Sequence, residues 1–386
     1  MQILSGIRVL DFTRVLAGPY ATRVLADFGA EVIKVQCRKT ALGAEANQTP
    51  YFDMYNRNKK SVTLDLDQPQ ARELVLALVQ KCDVVAENFS PRVLENWRLT
   101  YPVLKQAKQD IILLRMSAMG QSGPWRDAVA FGPTIQSLTG FTQLTAYSGG
   151  PPLGLGFSHA DVASGLYGAM AVLAALEVRD RHGLGQCIDL AEYEAVATLL
   201  GPELLAAQMS TGQALPQPGL FVECLACSGE DRWCAISLES ADQWNAFCRV
   251  LELPSSVAET DLESLGSASH GAKEIRRAVA QAAAGWKAED LAQRLQGAGI
   301  AVGVVQNAED LHRDPQLSAR GFFKTVPNPA GQDAITDDSP IRLDGGTGGE
   351  WLASPRLGQH NHEVFSELLG MSAVEIAELE RSGVIA

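Results

Sequence analysis

The first 130 residues alternate between short apolar runs and amphipathic stretches. IRVLDF (7–12), EVIKV (31–35), SVTLDL (61–66), DVVAENF (83–89) and DIILLRMSAMG (110–120) are rich in Val, Ile and Leu, the composition of buried strands. Between them lie helical patterns: residues 20–29, closed by Gly29; a helix opened by Pro69, with Leu74, Val75, Leu78 and Val79 on one face; and another opened by Pro91. Repeated strand-then-helix order predicts an α/β fold with an open, mostly parallel sheet, whose ligands bind at the carboxyl ends of the strands. The loops at those ends are TRVLAGP, with a turn at Gly18 and Pro19 at the first helical position, the Cys37–Arg38–Lys39 turn, ENFSPR and SAMGQSGP; three of them carry Arg or Lys. TRVLAGP has no G-x-G-x-x-G pattern, so no dinucleotide site is expected.

Residues 131–145 form an apolar helical stretch that leads into a Gly/Pro-rich loop and a single acid, Asp161. About four turns of small and apolar residues follow, ending in Glu177, Arg179 and Arg181. An Asp in that place reads as a helix N-cap, kept ionised by the free N–H groups and the positive end of the helix dipole. A carboxylate opening onto a glycine loop is also how an Asp nucleophile would be presented, and the residues alone leave both readings open. QCIDLA is the next strand, and a helix from Glu192 contains Pro202.

Around 210–220 the composition shifts to Pro, Gly and Gln, marking a domain boundary. Beyond it come two strands at hairpin spacing, LFVECLAC and RWCAISLE, then helices at 241–251, 272–285 and 287–297, the strand AVGVVQ, a helix over 308–317 and the strand GFFKTV. The expected organisation is a large domain over 1–205, a small α/β domain over 215–327 and a C-terminal segment over 328–386. Residues 328–358 look loop-like, DGGTGGE most of all. The last helix opens with a capping box at Ser372 and Glu375.

With 386 residues, 46% of them hydrophobic, the chain can bury a sizeable core. The longest apolar run, Val162–Leu176, is broken by Ser164, Gly165 and Gly168, so no membrane span is expected. The N-terminus lacks the pattern of a secretory signal, and seven scattered cysteines suit reduced thiols, so a cytoplasmic location is expected. Cys224 and Cys227 form a CxxC without a second ligand pair; no metal site is expected.

The net charge of -13 argues against nucleic acid as a partner. It is unevenly spread, however: residues 1–130 hold 17 Lys and Arg against 13 Asp and Glu, and residues 131–386 hold 15 against 32. A basic N-terminal third within an acidic chain suits a small polyanion. His159 lies beside Asp161 with no Ser or Cys to complete a triad. His360 and His362 lack acid or thiol partners, and Asp189, Glu192 and Glu194 form a plausible carboxylate cluster, though acids at a strand end and a helix start are commonly solvated.

GIRVLDFTRVLAGPYATRVLADFGAEVIKV, NRNKKSVTLDL, DVVAENFSPRVLE, HADVASGLYGAMAVLAALEVRDRHGLGQCIDL, GEDRWCAI, DPQLSARGFF and RLGQHNHEVFSELLG occur in that order along the chain. Through them the whole chain resembles the class III coenzyme A transferase (CaiB/BaiF) family. The resemblance implies a large α/β domain made of both chain ends, a smaller inserted domain, and a homodimer of interlocked ring-like subunits. It implies transfer of CoA from an acyl-CoA to a free carboxylic acid through anhydride and aspartyl-CoA thioester intermediates, with Asp161 at the position of the catalytic aspartate. CoA enters as substrate, with no permanently bound cofactor.

By matching motifs, Val15, Leu16 and Ala17 look like the CoA-contacting loop, Arg38 a phosphate ligand, Leu64 an adenine neighbour, and Asn88 and Phe89 further CoA contacts. Asn96 stands where many members carry Arg, and Asp67 where some carry Lys, leaving Arg92 or Arg98 to supply the charge. Two other readings are a 2-methylacyl-CoA racemase, which would exchange an α-deuterium without an acceptor acid, and a catalytically silent CoA-binding protein. The racemases of the family pair their aspartate with a His in the segment matching 128–134, which here is AVAFGPT. Racemisation needs that second proton-transfer group, so its absence favours transfer. Leu16, in place of the Gln of formyl-CoA:oxalate enzymes, argues against oxalate as acceptor.

Overall fold

The Val/Ile-rich segments form six strands: β1 (Arg8–Asp11), β2 (Glu31–Gln36), β3 (Lys59–Thr63), β4 (Val84–Glu87), β5 (Ile112–Ser117) and β6 (Cys187–Ala191). All pair in parallel, in the order β3-β2-β1-β4-β5-β6. The computed structural model describes residues 2–146, 150–208, 221–260, 270–327, 333–343, 346–347 and 351–385. The expected boundary at 210–220 and the DGGTGGE segment fall mostly or wholly outside these residues. Nine helices carry labels here: α1 (Ala17–Asp27), α2 (Pro50–Asn56), α3 (Pro69–Val79), α4 (Arg92–Asn96), α5 (Tyr101–Ala107), α6 (Gly132–Leu138), α7 (Phe141–Leu144), α8 (His159–His182) and α9 (Glu192–Ala197).

Successive strand residues point to opposite faces, so the central strands feed two cores. Leu10, Ile33, Val62, Val85 and Leu113 pack on one face with Val75 and Leu78 of α3, Leu94 of α4 and Leu104 of α5. Val9, Val32, Val84, Ile112 and Leu114 pack on the other with Ala21 and Leu25 of α1 and Ala169 and Val172 of α8. Each such side chain, fully buried, contributes roughly 1.5–3 kcal/mol. α8 has the length and apolar character of a membrane span. It lies here against α1 and β5, and a Cβ at Gly165 or Gly168 would press on Tyr20 and the Ala17 carbonyl or on Met116.

By contacts the chain divides into two units, 1–201 with 321–386, and 202–320. The second has its own three-stranded antiparallel sheet, β7 (Phe221–Ala226), β8 (Trp233–Leu238) and β9 (Ala301–Val304), around Trp244, Phe247, Leu291 and Leu295. In the first unit β10 (Phe323–Val326) pairs antiparallel with β11 (Ala334–Asp337), so part of the stretch expected to be loop is strand. The capping box at Ser372 and Glu375 is present. The outer edge of β3 is closed from the far end of the chain: Thr63 N–H donates to Asn361 Oδ1 at 2.8 Å and Ser61 N–H to His360 Nδ1 at 3.1 Å.

Two local expectations need correction. Gly18 does not make the turn after β1; it is helical, and α1 begins at Ala17, where a Cβ on Gly18 would collide with Thr13 and Asn88. The left-handed turn falls on Val15, at φ 65°. Asp161 is not the cap of α8. Ser158 is the N-cap and Asp161 the third helical residue, so its carboxylate folds back onto the Ser158 hydroxyl rather than preceding the helix.

Candidate active site

Sheet order reverses direction between β1 and β4, and the loops after these two strands meet there. Arg14 N–H donates to Asn88 Oδ1 at 2.7 Å while Asn88 Nδ2 donates to the Arg14 carbonyl at 2.8 Å, a reciprocal pair that fixes one loop on the other. The Arg14 guanidinium lies 5.3 Å from the Phe89 ring centre, and one of its nitrogens donates to Thr40 Oγ1.

Buried charge supports the first loop from beneath. Glu45 accepts the Val15 N–H at 2.8 Å, which holds that residue's unfavourable φ, and Lys34 neutralises Glu45 at 3.2 Å. Lys34 also donates to the Thr13 carbonyl, and Asp11 receives Thr13, Thr22 and Lys59. Burial alone would raise the Asp11 carboxyl, yet Lys59 and Lys34 bring it below the usual range. Burial lowers the Lys59 ammonium to about 8 against the pull of Asp11.

Held this way, the Ala17 N–H favours the Asp161 anion, and the Asp161 carboxylate receives the Ser158 hydroxyl. On another side stands Gly132, where a Cβ would overlap both the Ser158 hydroxyl and the Asp161 carboxylate. Burial raises the Asp161 carboxyl above its ordinary value, and the bonds from Ser158 and Ala17 oppose that rise. The environment is therefore less favourable to the anion than a plain helix cap would be. Burial, then Tyr55 and Asp161, push the Tyr51 phenol to about 12, which keeps it neutral.

Asp161 opens on a cavity of about 250 Å³ walled by Arg14, Val15, Asn88, Phe89, Phe131 and Glu192. A second cavity, of about 150 Å³, lies between Phe12, Leu64, Phe89 and Trp97, with Arg14 and Lys39 at its edge. Arg14 and Phe89 line both. Of the residues singled out by motif, Val15, Asn88 and Phe89 line the first cavity, Leu64 and Phe89 the second, and Leu16 and Ala17 lie buried behind Val15. Arg38, Arg92, Asn96 and Arg98 are exposed and line neither. Arg92 is held by Asp127 through two bonds, of 3.1 and 2.8 Å.

Sequence reading missed Arg14, Lys39, Glu45 and Gly132. A basic residue in the first strand-end loop was a visible signal for Arg14; nothing local marks Glu45, whose partner Val15 lies 30 residues away. Glu192 is not a solvated acid, because it is only 7% exposed. All seven cysteines are free thiols.

Comparison with known proteins agrees with this architecture. Residues 4–361 match the family described as CoA-transferase family III. Succinyl-CoA–D-citramalate CoA-transferase of Chloroflexus aurantiacus is 30% identical over 394 residues, covering 99% of this chain and 98% of that protein. Succinyl-CoA:mesaconate CoA-transferase of Haloarcula hispanica is 31% identical, covering 95% of this chain and 96% of its own length. A crystal structure of a CaiB/BaiF family protein from Brucella suis superposes with a TM-score of 0.84 at 27% identity, over 95% of this chain and 99% of that one. The chain thus belongs to CoA-transferase family III, the CaiB/BaiF family, and is a CoA-transferase of that class.

Proposed function

We propose that the protein moves CoA from an acyl-CoA to a free carboxylic acid, with Asp161 as the nucleophile. The observation that carries this reading is the placement of Asp161 at a cavity wall, bonded by the Ser158 hydroxyl, with the N–H of Ala17, from the loop matched to CoA contact, favouring its anion. An Asp161 oxygen attacks the thioester carbonyl, the C–S bond breaks, and CoA thiolate leaves a mixed anhydride. The thiolate then attacks the aspartyl carbonyl of that anhydride, which releases the donor acid and leaves an aspartyl-CoA thioester. The acceptor carboxylate repeats these steps in reverse order.

For CoA itself, Leu64, Phe12 and Trp97 offer the adenine an apolar slot; at its edge Arg14 suits a phosphate, and so does Lys39 once it is released from Asp65, to which it is bound at 2.8 Å. Val15, Leu16, Ala17, Asn88 and Phe89 are assigned to the pantetheine path between the two cavities, and Arg38, on the turn beside Lys39, to an outer phosphate. Asn96 and Arg92 stand away from both cavities, so Arg14 and Lys39 are the better source of the positive charge. The wall formed by Ala128, Val129, Ala130 and Phe131 lacks the His that the racemases of the family pair with their aspartate, which supports transfer over racemisation.

A second copy of the chain is the proposed partner. Leu166, Met170 and Leu173 of α8 are 50%, 58% and 42% exposed in a row along one face, an apolar stripe suited to homodimer contact. The free thiols suit a cytoplasmic setting. The deciding experiment incubates the protein with a panel of acyl-CoAs, traps with hydroxylamine and searches Asp161 by mass spectrometry. Modification at Asp161 that depends on acyl-CoA is expected; turnover with Asp161 unmodified would overturn the mechanism.

A further inference from the structure

Glu192 opens α9 directly after β6, and its carboxyl lines the same cavity as Asp161. It is more than nine-tenths buried, and among the described residues its carboxyl has no hydrogen-bond or ion-pair partner. Buried carboxyls without a partner are costly to ionise, and a second carboxylate across the same cavity raises the cost further. The charged groups that line the cavity with Glu192 are Asp161 from α8, Arg14 from the loop after β1 and Arg126 from the loop after β5, and of these Asp161 acts on it. Arg126 is engaged by Glu95 at 3.3 Å and Asp127 at 3.8 Å, and Arg14 is bound to Thr40. Burial, then the charge of Asp161, push the Glu192 carboxyl to about 8.

We propose that Glu192 is a second catalytic residue: held as a neutral carboxylic acid, it donates its O–H to the acyl carbonyl oxygen as Asp161 attacks the thioester. The inference rests on Asp161 being the nucleophile. As the new C–O bond forms, the carbonyl π pair moves onto oxygen and is held by the Glu192 O–H. As the C–S bond breaks, that pair returns to re-form the carbonyl and CoA leaves as thiolate. Glu192 keeps its proton throughout, so the step balances without a base. The two carboxyls divide the work by protonation state, one as nucleophile and one as donor.

The test compares Glu192→Leu and Glu192→Gln with the wild type in steady-state transfer from pH 6 to pH 9. E192L is expected to lose on the order of 100-fold in kcat, with KM for acyl-CoA nearly unchanged. The wild type is expected to decline in activity around pH 8, and E192Q, which keeps a neutral donor, to retain most of kcat without that decline. A protonated-carboxyl infrared band that titrates there in the wild type and vanishes in E192Q completes the expectation. E192L with wild-type kcat, E192Q as impaired as E192L, an alkaline decline that persists in E192Q, or no such band would each overturn the proposal. Wild-type protein that transfers CoA without modification at Asp161 would instead overturn the nucleophile assignment, a separate and recognisable failure.

Discussion

The backbone N–H of Ala17 favours the ionised carboxylate of Asp161, so the first turns of α1 and α8 converge on one group. If that group is the nucleophile proposed above, its removal should be felt in chemistry rather than binding. Asp161→Asn is expected to lower transfer by on the order of 10⁴-fold while leaving CoA affinity within a few-fold. Steady-state rates paired with calorimetric titration of CoA check this; comparable losses in both would contradict it.

Gly132 gives the Asp161 carboxylate its room. Gly132→Ala would push a methyl into the Ser158 hydroxyl and that carboxylate, turning the proposed nucleophile away from the position it needs. A loss of about 100-fold in kcat is expected from such misplacement, with little change in melting temperature. Wild-type kcat in this variant would show that the site tolerates the methyl.

The loop that carries Val15 stands on a buried ion pair. Lys34→Met leaves Glu45 without its cation, its side chain 9% exposed beneath the loop. Breaking a buried pair from one side costs about 3–5 kcal/mol. A clear drop in thermal midpoint is expected, and Lys34→Met with Glu45→Gln should recover part of it in a double-mutant cycle.

Glu192 should leave a mark on stability as well. Its folded value of about 8 stands above the ordinary 4.5, so the folded protein holds a proton that the unfolded chain has released. The resulting contribution is fully present below about 4.5, falls as pH rises and is gone above about 8. Each pH unit in that window removes up to about 1.4 kcal/mol. Differential scanning fluorimetry of E192Q should therefore show a midpoint that gains on the wild type between pH 5 and pH 8. Parallel curves would refute it.

Charge at the CoA slot can be tested with salt. Arg14→Ala is expected to weaken CoA binding about tenfold at low ionic strength and less at high salt, since screening already weakens exposed charge pairs. Arg92→Ala, bound to Asp127 and outside both cavities, should change affinity little. Equal effects from the two would argue against the slot between Leu64 and Trp97.

The parallel strands were legible because both of their faces are buried, which leaves near-continuous Val and Ile in the chain. Asp161 stood out as an acid entering an apolar helix, yet its true environment was hidden. Ser158 stands three residues before it, at the cap of the same helix, but Ala17 and Gly132 reach it from α1 and α6, and no periodicity encodes their convergence. Glu192 was visible as one acid among several; only its burial separates it from Glu194. Val15 in the left-handed region could not be anticipated beside a glycine that sterics, not φ, had selected.

Thr63 and Asn361 are 298 residues apart in sequence, and their bond closes one margin of the six-stranded sheet. A ribosome therefore finishes β3 long before it makes the segment that shields it. Until the segment around Asn361 has been made, the nascent protein carries an open strand edge, able to recruit another chain. Fragments that stop short of the last helices keep that edge, which makes them natural clients for chaperones and proteases.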